Sequence, residues 1–463
     1  MNHSTRGRQR IIVALTVFTV ALLPLTGCTS ATSATSDSKA LTMWTFKQAH
    51  VKALETAATA FEAKTGISVK IQAITPDSAF LTKVQAAAQT KDLPDVLEVH
   101  SGGEDRVLGG AGVLTDLTSA VSTDISGQFV STIKDSGIVT AADFTASKVA
   151  GAPAAGIVEG ARYSVPFTIG TFGIFYGDKK KLAAAGITEA PETWEAFIAD
   201  LKKTVAADPA TGGMSLGFNG ATSTGINWIL NPLAFGQLGK DGYAGLYSED
   251  TAKDWGSANG KAALSLYAQL QGLWIPGTSN LTIDTGDQAL VQGKSTWAAG
   301  GTFTYAGLVQ SGMSADNILA FPLPAPENGM VKDLKLATIA LTGLAVTKDS
   351  KDPSAAGKWI DFLSSSDVAS KFAVDAAELP AANLGADAES ILGPNLTRLT
   401  EVFAGTAEQT YDVDKNSTLF PALTDLDVAG KIVQSLSPTG EIDVPTAGNQ
   451  LSTLMQNYWK TDK

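Results

Sequence analysis

The chain has 463 residues, 44% of them hydrophobic and 17% charged, with a formal net charge of −12. An ordinary apolar fraction over this length excludes disorder for the bulk of the chain. It supplies at least two cores, because single cores stop growing near ~250–300 residues. The acidic balance excludes a nucleic-acid binder of the usual electrostatic kind, whose affinity comes from neutralising phosphates.

Arg6, Arg8 and Arg10 precede an apolar run from Ile11 to Leu23. That run falls short of the ~20 residues needed to span a bilayer core and fits the apolar region of a secretory signal. Leu25-Thr26-Gly27-Cys28 follows and resembles the bacterial lipobox, in which the cysteine carries lipid and the chain is cut just before it. Cys28 is the only cysteine, so no disulfide, Cys-zinc site or thiol nucleophile is expected, and a free thiol is the competing reading. Removing residues 1–27 takes the three arginines from a charge of −12 and leaves −15. Residues 28–40 then read as a lipid-anchored flexible tether, with the Thr/Ser/Ala-rich stretch Thr29–Ser38 at its centre.

Structure is expected to begin near Leu41. Leu41–Trp44 reads as a short strand. Val51, Leu54, Ala58 and Phe61 then recur on one helical face, and Gly66 stops that helix. Ile67, Val69 and Ile71 alternate with polar residues, as in a strand. A helix with Phe80, Val84 and Ala87 and a strand over Asp95–Val99 complete β-α-β-α-β. Such alternation predicts an α/β fold with mostly parallel sheets covered by helices. Further on, Gly173–Tyr176 and Leu341–Val346 are strand-like. Thr193 caps a helix carrying Trp194, Asp352-Pro353 opens one carrying Trp359, and Leu451–Tyr458 forms a last amphipathic helix. Trp194, Trp359 and Trp459 are read as core residues, whereas Trp255 and Trp274 fit either core or site.

Catalytic patterns are scarce. The histidines are His3, His50 and His100, and no Gly-x-Ser-x-Gly elbow or His-Glu-x-x-His motif accompanies them. His50 is placed on the exposed side of its helix, and His100 at a strand end. Gly293-Lys294-Ser295 lacks the upstream glycine of a phosphate loop, with Gln288 in its place. Asp412 and Asp414 lack the glycine and bidentate glutamate of a calcium loop. No cofactor and no metal are expected. Carboxylate pairs for glycoside hydrolysis stay open, as any acidic chain offers many.

Several segments together resemble the extracellular solute-binding proteins of ABC importers, in their sugar-binding branch. They are the opening Leu41–Trp44 strand with the helix ending Phe61-Glu-Ala-Lys-Thr-Gly66, Leu93-Pro94-Asp95-Val96, and Gly112-Val-Leu-Thr-Asp-Leu117. Tyr163-Ser-Val-Pro-Phe167 with Gly173–Tyr176, Pro191-Glu-Thr-Trp194, and Gln292–Ser295 with Gly300-Gly301 continue the series. Gly177 replaces the usual Asn after Tyr176, and Thr302 and Phe303 follow the paired glycines, where the family often carries an aromatic directly. The resemblance spans residues 25 to about 380. It implies two α/β lobes closing on a ligand by a hinge, with crossings near Phe167–Thr171, Trp297–Gly300 and Leu344–Thr347. The first lobe would comprise residues 41–167 and 299–345, the second 172–296 and 347–463. It further implies a monomer held outside the cytoplasm by lipid on Cys28, with a sugar ligand and the membrane permease of an ABC importer as partners and no nucleic acid. A surface lipoprotein enzyme acting on polysaccharide is the alternative.

Sugars present apolar C–H faces and hydroxyls, so a binding cleft pairs aromatic rings with a few polar groups. Trp44 and Phe46 end the first strand, and Ser101, Gly102 and Glu104 follow the Asp95–His100 strand, at the sheet edge where open α/β folds bind ligands. Trp228 and Asn231 are the candidates from the second lobe, and Gly300, Gly301, Thr302 and Phe303 form a glycine turn that lets backbone approach a ligand. Core packing competes for Trp44 and Trp228, and a solvated loop for Glu104.

Overall fold

The computed structural model describes residues 40–149, 151–413 and 426–461. Cys28, the signal and tether expected before it and after it, and Asp414 lie outside these residues. The strands are β1 (Ala40–Thr45), β2 (Ser68–Ala73), β3 (Val96–His100), β4 (Val165–Gly170), β5 (Phe172–Asp178), β6 (Met214–Ser215), β7 (Trp297–Gly301), β8 (Ile318–Pro322), β9 (Lys335–Leu336), β10 (Ile339–Val346) and β11 (Thr410–Tyr411). They form a five-stranded sheet in the order β2-β1-β3-β10-β4 and a four-stranded sheet in the order β6-β7-β5-β8, with β9 and β11 paired apart.

The two-lobe α/β class holds, and the pairing within each sheet is mixed. β1 runs parallel to β2 and β3, while β10 runs antiparallel to β3 and β4. In the second sheet β6 and β7 are parallel, and β5 is antiparallel to both β7 and β8. The departure from mostly parallel sheets arises where the chain changes lobe and returns. β10 re-enters the first sheet from the second, so it meets β3 and β4 from the opposite direction.

The expected boundaries shift accordingly. Trp297–Gly301 is a buried strand inside the second sheet, and Leu344–Val346 ends a buried strand of the first; neither segment is a crossing. Residues 299–322 therefore belong with the second sheet. The chain changes sheets at Thr171, again between Pro322 and Ile339, and a third time past Leu379, where Ile169 N–H donates to the Leu379 carbonyl and Ala381 N–H to that of Phe167. The helices Pro353–Ser364 and Ser366–Ala376 join the first lobe, as their rings show: Trp359 meets Phe61 at 5.2 Å and Phe372 meets Phe167 at 4.6 Å. The crossings at Trp297–Gly300 and Leu344–Thr347 are implied by the family resemblance, whereas the strand-like reading of Leu341–Val346 agrees with β10.

The core of the second lobe is aromatic. Phe175 stacks on Phe197, whose edge meets Trp297 at 5.4 Å. Trp194, Trp255, Trp274 and Trp359 are all buried, and Trp459 is partly buried, donating to the Tyr247 carbonyl. Among the described residues no helix is long and apolar enough to cross a membrane.

Gly170 closes β4 at the first change of lobe. A Cβ there would stand 1.7 Å from Thr302 Oγ1 and 2.6 Å from Leu341. Thr302 Oγ1 itself accepts from Thr171 N–H, so it cannot simply swing away. Gly170→Ala is expected to lower stability by about 1–3 kcal/mol, the usual cost of overpacking, in urea unfolding monitored by tryptophan fluorescence.

Candidate binding cleft

A cavity of about 750 Å³ lies at the carboxyl ends of the first-lobe strands, within the size range of small-molecule sites. A second hollow of about 380 Å³ continues from it past Asp77, His100 and Asp284. From the first lobe, β1 ends at Thr45, and the turn Gln48–His50 leads into the helix Val51–Thr65, so Phe46 and Lys47 stand at the strand's exit. β3 ends at His100, whose ring stacks on Phe46 at 4.0 Å. From the second lobe come Phe172 at the start of β5, Trp228 on the widened helical turn Gly225–Leu230, and Phe303 just after β7. Trp228 lies flat on Phe172 at 5.2 Å with 5° between the rings, and the Phe303 edge meets both.

Behind the first-lobe wall runs a buried charge relay. Thr45 Oγ1 donates to Glu98 at 2.6 Å, His50 Nδ1 pairs with Glu98 at 3.0 Å, and His50 Nε2 pairs with Glu378 at 2.6 Å. Lys47 Nζ donates to the other Glu378 oxygen at 2.7 Å and lies 5.0 Å over the Phe303 ring. Burial by itself would push His50 down, but the two carboxylates outweigh it and raise the imidazole from 6.5 to about 9. Burial likewise opposes the charge on Glu378, and Lys47 and His50 overcome it, lowering the carboxyl from 4.5 to about 2. His50 is therefore an imidazolium that donates from both nitrogens. The relay balances two cations with two carboxylates, as buried charges require.

A second set of charges faces the opening. His100 pairs with Glu104 at 3.0 Å and Asp77 at 3.5 Å. Burial opposes its protonation and the two carboxylates raise it above its ordinary value, although 45% of the side chain is open to screening water. Across the cleft, Asp284 and Asp287 sit one turn apart on the helix Ile283–Val291. Burial raises both, with Asp77 acting on Asp284 and Asp284 on Asp287 in the same direction, although the Asp284 side chain is exposed and Asp287 only half-buried, so solvent screens the shifts. The lips approach each other here: Ser78 Cβ would stand 3.0 Å from a Cβ on Gly220, and Asp77 and Asp284 line the same hollow. Among the described residues no three His, Cys, Asp or Glu side chains are grouped to hold a metal.

Of the residues singled out from sequence, Phe46, Trp228 and Phe303 line the main cavity and Glu104 its extension. Trp44 does not line it. Strand alternation turns Trp44 away from Met43 and Thr45, so it packs beside Phe46 and Phe80 with the Lys83 ammonium 5.9 Å from its ring. Ser101 and Gly102 line neither hollow, Gly102 being exposed to solvent, and Asn231 is buried, accepting from the Tyr247 hydroxyl at 2.5 Å. Gly300, Gly301 and Thr302 belong to the strand end and helix start that carry Phe303, and the Gly301 carbonyl accepts from the Tyr176 hydroxyl. His50 is fully buried rather than exposed. It continues the stripe Leu54, Ala57 and Phe61 by one turn, so the same spacing that marked the helix core pointed to it. Lys47, Asp77, Phe172, Asp284, Asp287 and Glu378 were missed. Glu378 had one signal, a carboxylate with apolar neighbours on both sides in Ala376-Ala-Glu-Leu-Pro-Ala-Ala382.

Glu378 contributes stability above its unfolded value near 4.5, lost as pH falls toward 2; His50 contributes stability below 6.5, lost as pH rises toward 9. Their joint contribution is complete between pH 4.5 and 6.5. Glu378→Gln strands the His50 charge and is expected to cost about 3–5 kcal/mol. Thermal unfolding across pH checks both points: the variant should lose the decline on the acid side that Glu378 causes.

Comparison with known proteins agrees with this architecture. A solved structure from work on xylan utilization by Caldanaerobius polysaccharolyticus superposes with a TM-score of 0.69 at 18% identity, covering 89% of this chain and 99% of that one. An ABC transporter solute-binding protein from Thermotoga lettingae, bound with alpha-D-tagatose, gives 0.66 at 18% identity over 91% of this chain and all of its own. The GacH receptor of Streptomyces glaucescens, solved free and with acarbose, gives 0.65 at 18% identity, covering 91% of this chain and 99% of that one. At these identities the likeness carries the fold. No protein with a curated description matches the sequence. The family model of the bacterial extracellular solute-binding proteins matches residues 47–370, most of the chain, and the protein belongs to that family.

Proposed function

We propose that the protein captures a saccharide in the cleft between its lobes and delivers it to the permease of an ABC importer. The observation that carries this reading is the cavity itself, with the rings of Phe46, Phe172, Trp228 and Phe303 placed among carboxylates and Lys47. Aromatic faces suit sugar C–H surfaces, and charged groups make strong hydrogen bonds to hydroxyls. The tagatose and acarbose complexes of similarly folded proteins support the same ligand class.

The reading extends to the N-terminus. Lipid on Cys28, after removal of residues 1–27, would hold a monomer at the outer face of the cell membrane through the tether Thr29–Ser38. Binding is favoured over hydrolysis by where the acids lie. The cleft carboxyls with raised values, Asp284 and Asp287, share one turn of one helix, whereas glycoside hydrolysis needs two acids flanking the bond.

Calorimetry against a panel of mono- and oligosaccharides tests the ligand class. Binding of at least one sugar, recovered uncleaved, is expected; no sugar binding alongside tight binding of a peptide would refute it. Trp228→Ala should weaken that sugar by roughly 1–3 kcal/mol, by analogy with base–aromatic stacking. Detergent partitioning of protein expressed in a bacterial host tests the anchor: Cys28→Ser should move it from the detergent phase to the aqueous phase.

A further inference from the structure

The joined hollows are lined by six carboxylates, those of Glu55, Asp77, Glu104, Asp284, Asp287 and Glu378. Against them stand Lys47, Lys52 and His100. Glu378 takes Lys47, and His100 is shared by Asp77 and Glu104. The His50–Glu98 pair behind the wall cancels itself. Among the described residues, Asp284 and Asp287 have no cation within ion-pair distance, and Lys47 acts on them only from afar while Glu378 holds it. Asp287 receives the Thr304 hydroxyl at 3.5 Å, well beyond the ordinary O–H···O range, so its acceptor capacity stays open.

The aromatic side of the hollow carries an independent sign. Phe303 already faces an ammonium, that of Lys47, at cation–π distance. An aromatic surface that accepts a cation and a helix turn with two uncompensated carboxylates thus border one cavity. Burial and neighbouring carboxylates disfavour ionisation of the pair. A protonated amine between them favours the ionised form of both and bonds to them with charge assistance, which a neutral hydroxyl does not.

Resting on the saccharide reading, we propose that the ligand carries a basic nitrogen: the site selects an amino sugar or an amine-bearing oligosaccharide, whose ammonium docks between Asp284 and Asp287 on the helix Ile283–Val291.

Paired calorimetry tests this. Glucosamine is compared with glucose, galactosamine with galactose, and chitosan oligosaccharides with their N-acetylated chitin counterparts, at pH 7 and low salt. At least one free amine should bind about tenfold or more tightly than its neutral partner, the gain expected of one charge-assisted contact. In folded Asp287→Asn or Asp284→Asn protein that ratio should collapse toward one. The wild-type ratio should also shrink with added salt, a readout that stands even if neither variant folds. Neutral sugars binding as tightly as their amine partners would overturn the inference and leave the saccharide reading intact. Spermidine binding with no saccharide bound would overturn the saccharide reading and keep the cation selection. Binding of none of these probes would overturn both.

Discussion

An imidazolium with no access to water holds the cleft together. His50 reaches Glu98 on β3 with one nitrogen and Glu378 on the third lobe-crossing segment with the other. Two segments 280 residues apart in sequence are thereby fixed to the turn between β1 and its helix. A neutral imidazole could donate from only one nitrogen and would leave the other carboxylate with Thr45 or Lys47 as its sole side-chain partner. The position of Lys47, and through it the contact with Phe303 on the opposite lobe, follows from that arrangement.

The wall and the opening are built on different electrostatic terms. In the wall, each carboxylate has a cation, and the shifts of His50 and Glu378 run in the directions that keep both charged. Toward the opening, Asp284 and Asp287 are shifted the other way by burial and by neighbouring carboxylates. The first pattern ties three segments of the first lobe together. The second leaves two carboxyls with no cation at ion-pair distance among the described residues.

The strand–helix alternation, the end of the first helix at Gly66 and the helix caps at Thr193 and Asp352 were legible because they are local: each depends on spacing within a few residues. Phe46 was legible as a ring at a strand exit and Phe303 as part of a glycine turn, while Trp228 was reached through the family resemblance. What stayed hidden is non-local. Glu378 acquires its role only when the third crossing folds back on β4, and Asp287 only when its helix faces the first lobe. His50 was within reach, since it lies on the same helical stripe as Leu54 and Phe61, but a polar residue at the stripe's end reads as solvent-facing unless its partners are known. Trp44 erred the other way: a tryptophan at a strand exit suggests a sugar platform, and the pleat directs it into the wall instead.

The approach of Ser78 to the loop at Gly220, beside Asp77 and Asp284 in the same hollow, brings the rims of the two lobes together. Touching rims narrow the way between solvent and the hollow at this edge. For the proposed saccharide, release would then depend on what separates the lobes, and a membrane partner gripping each lobe separately would dictate when it leaves. Residence time in this protein is in that sense a property of its rims, open to adjustment without altering any group that touches the ligand.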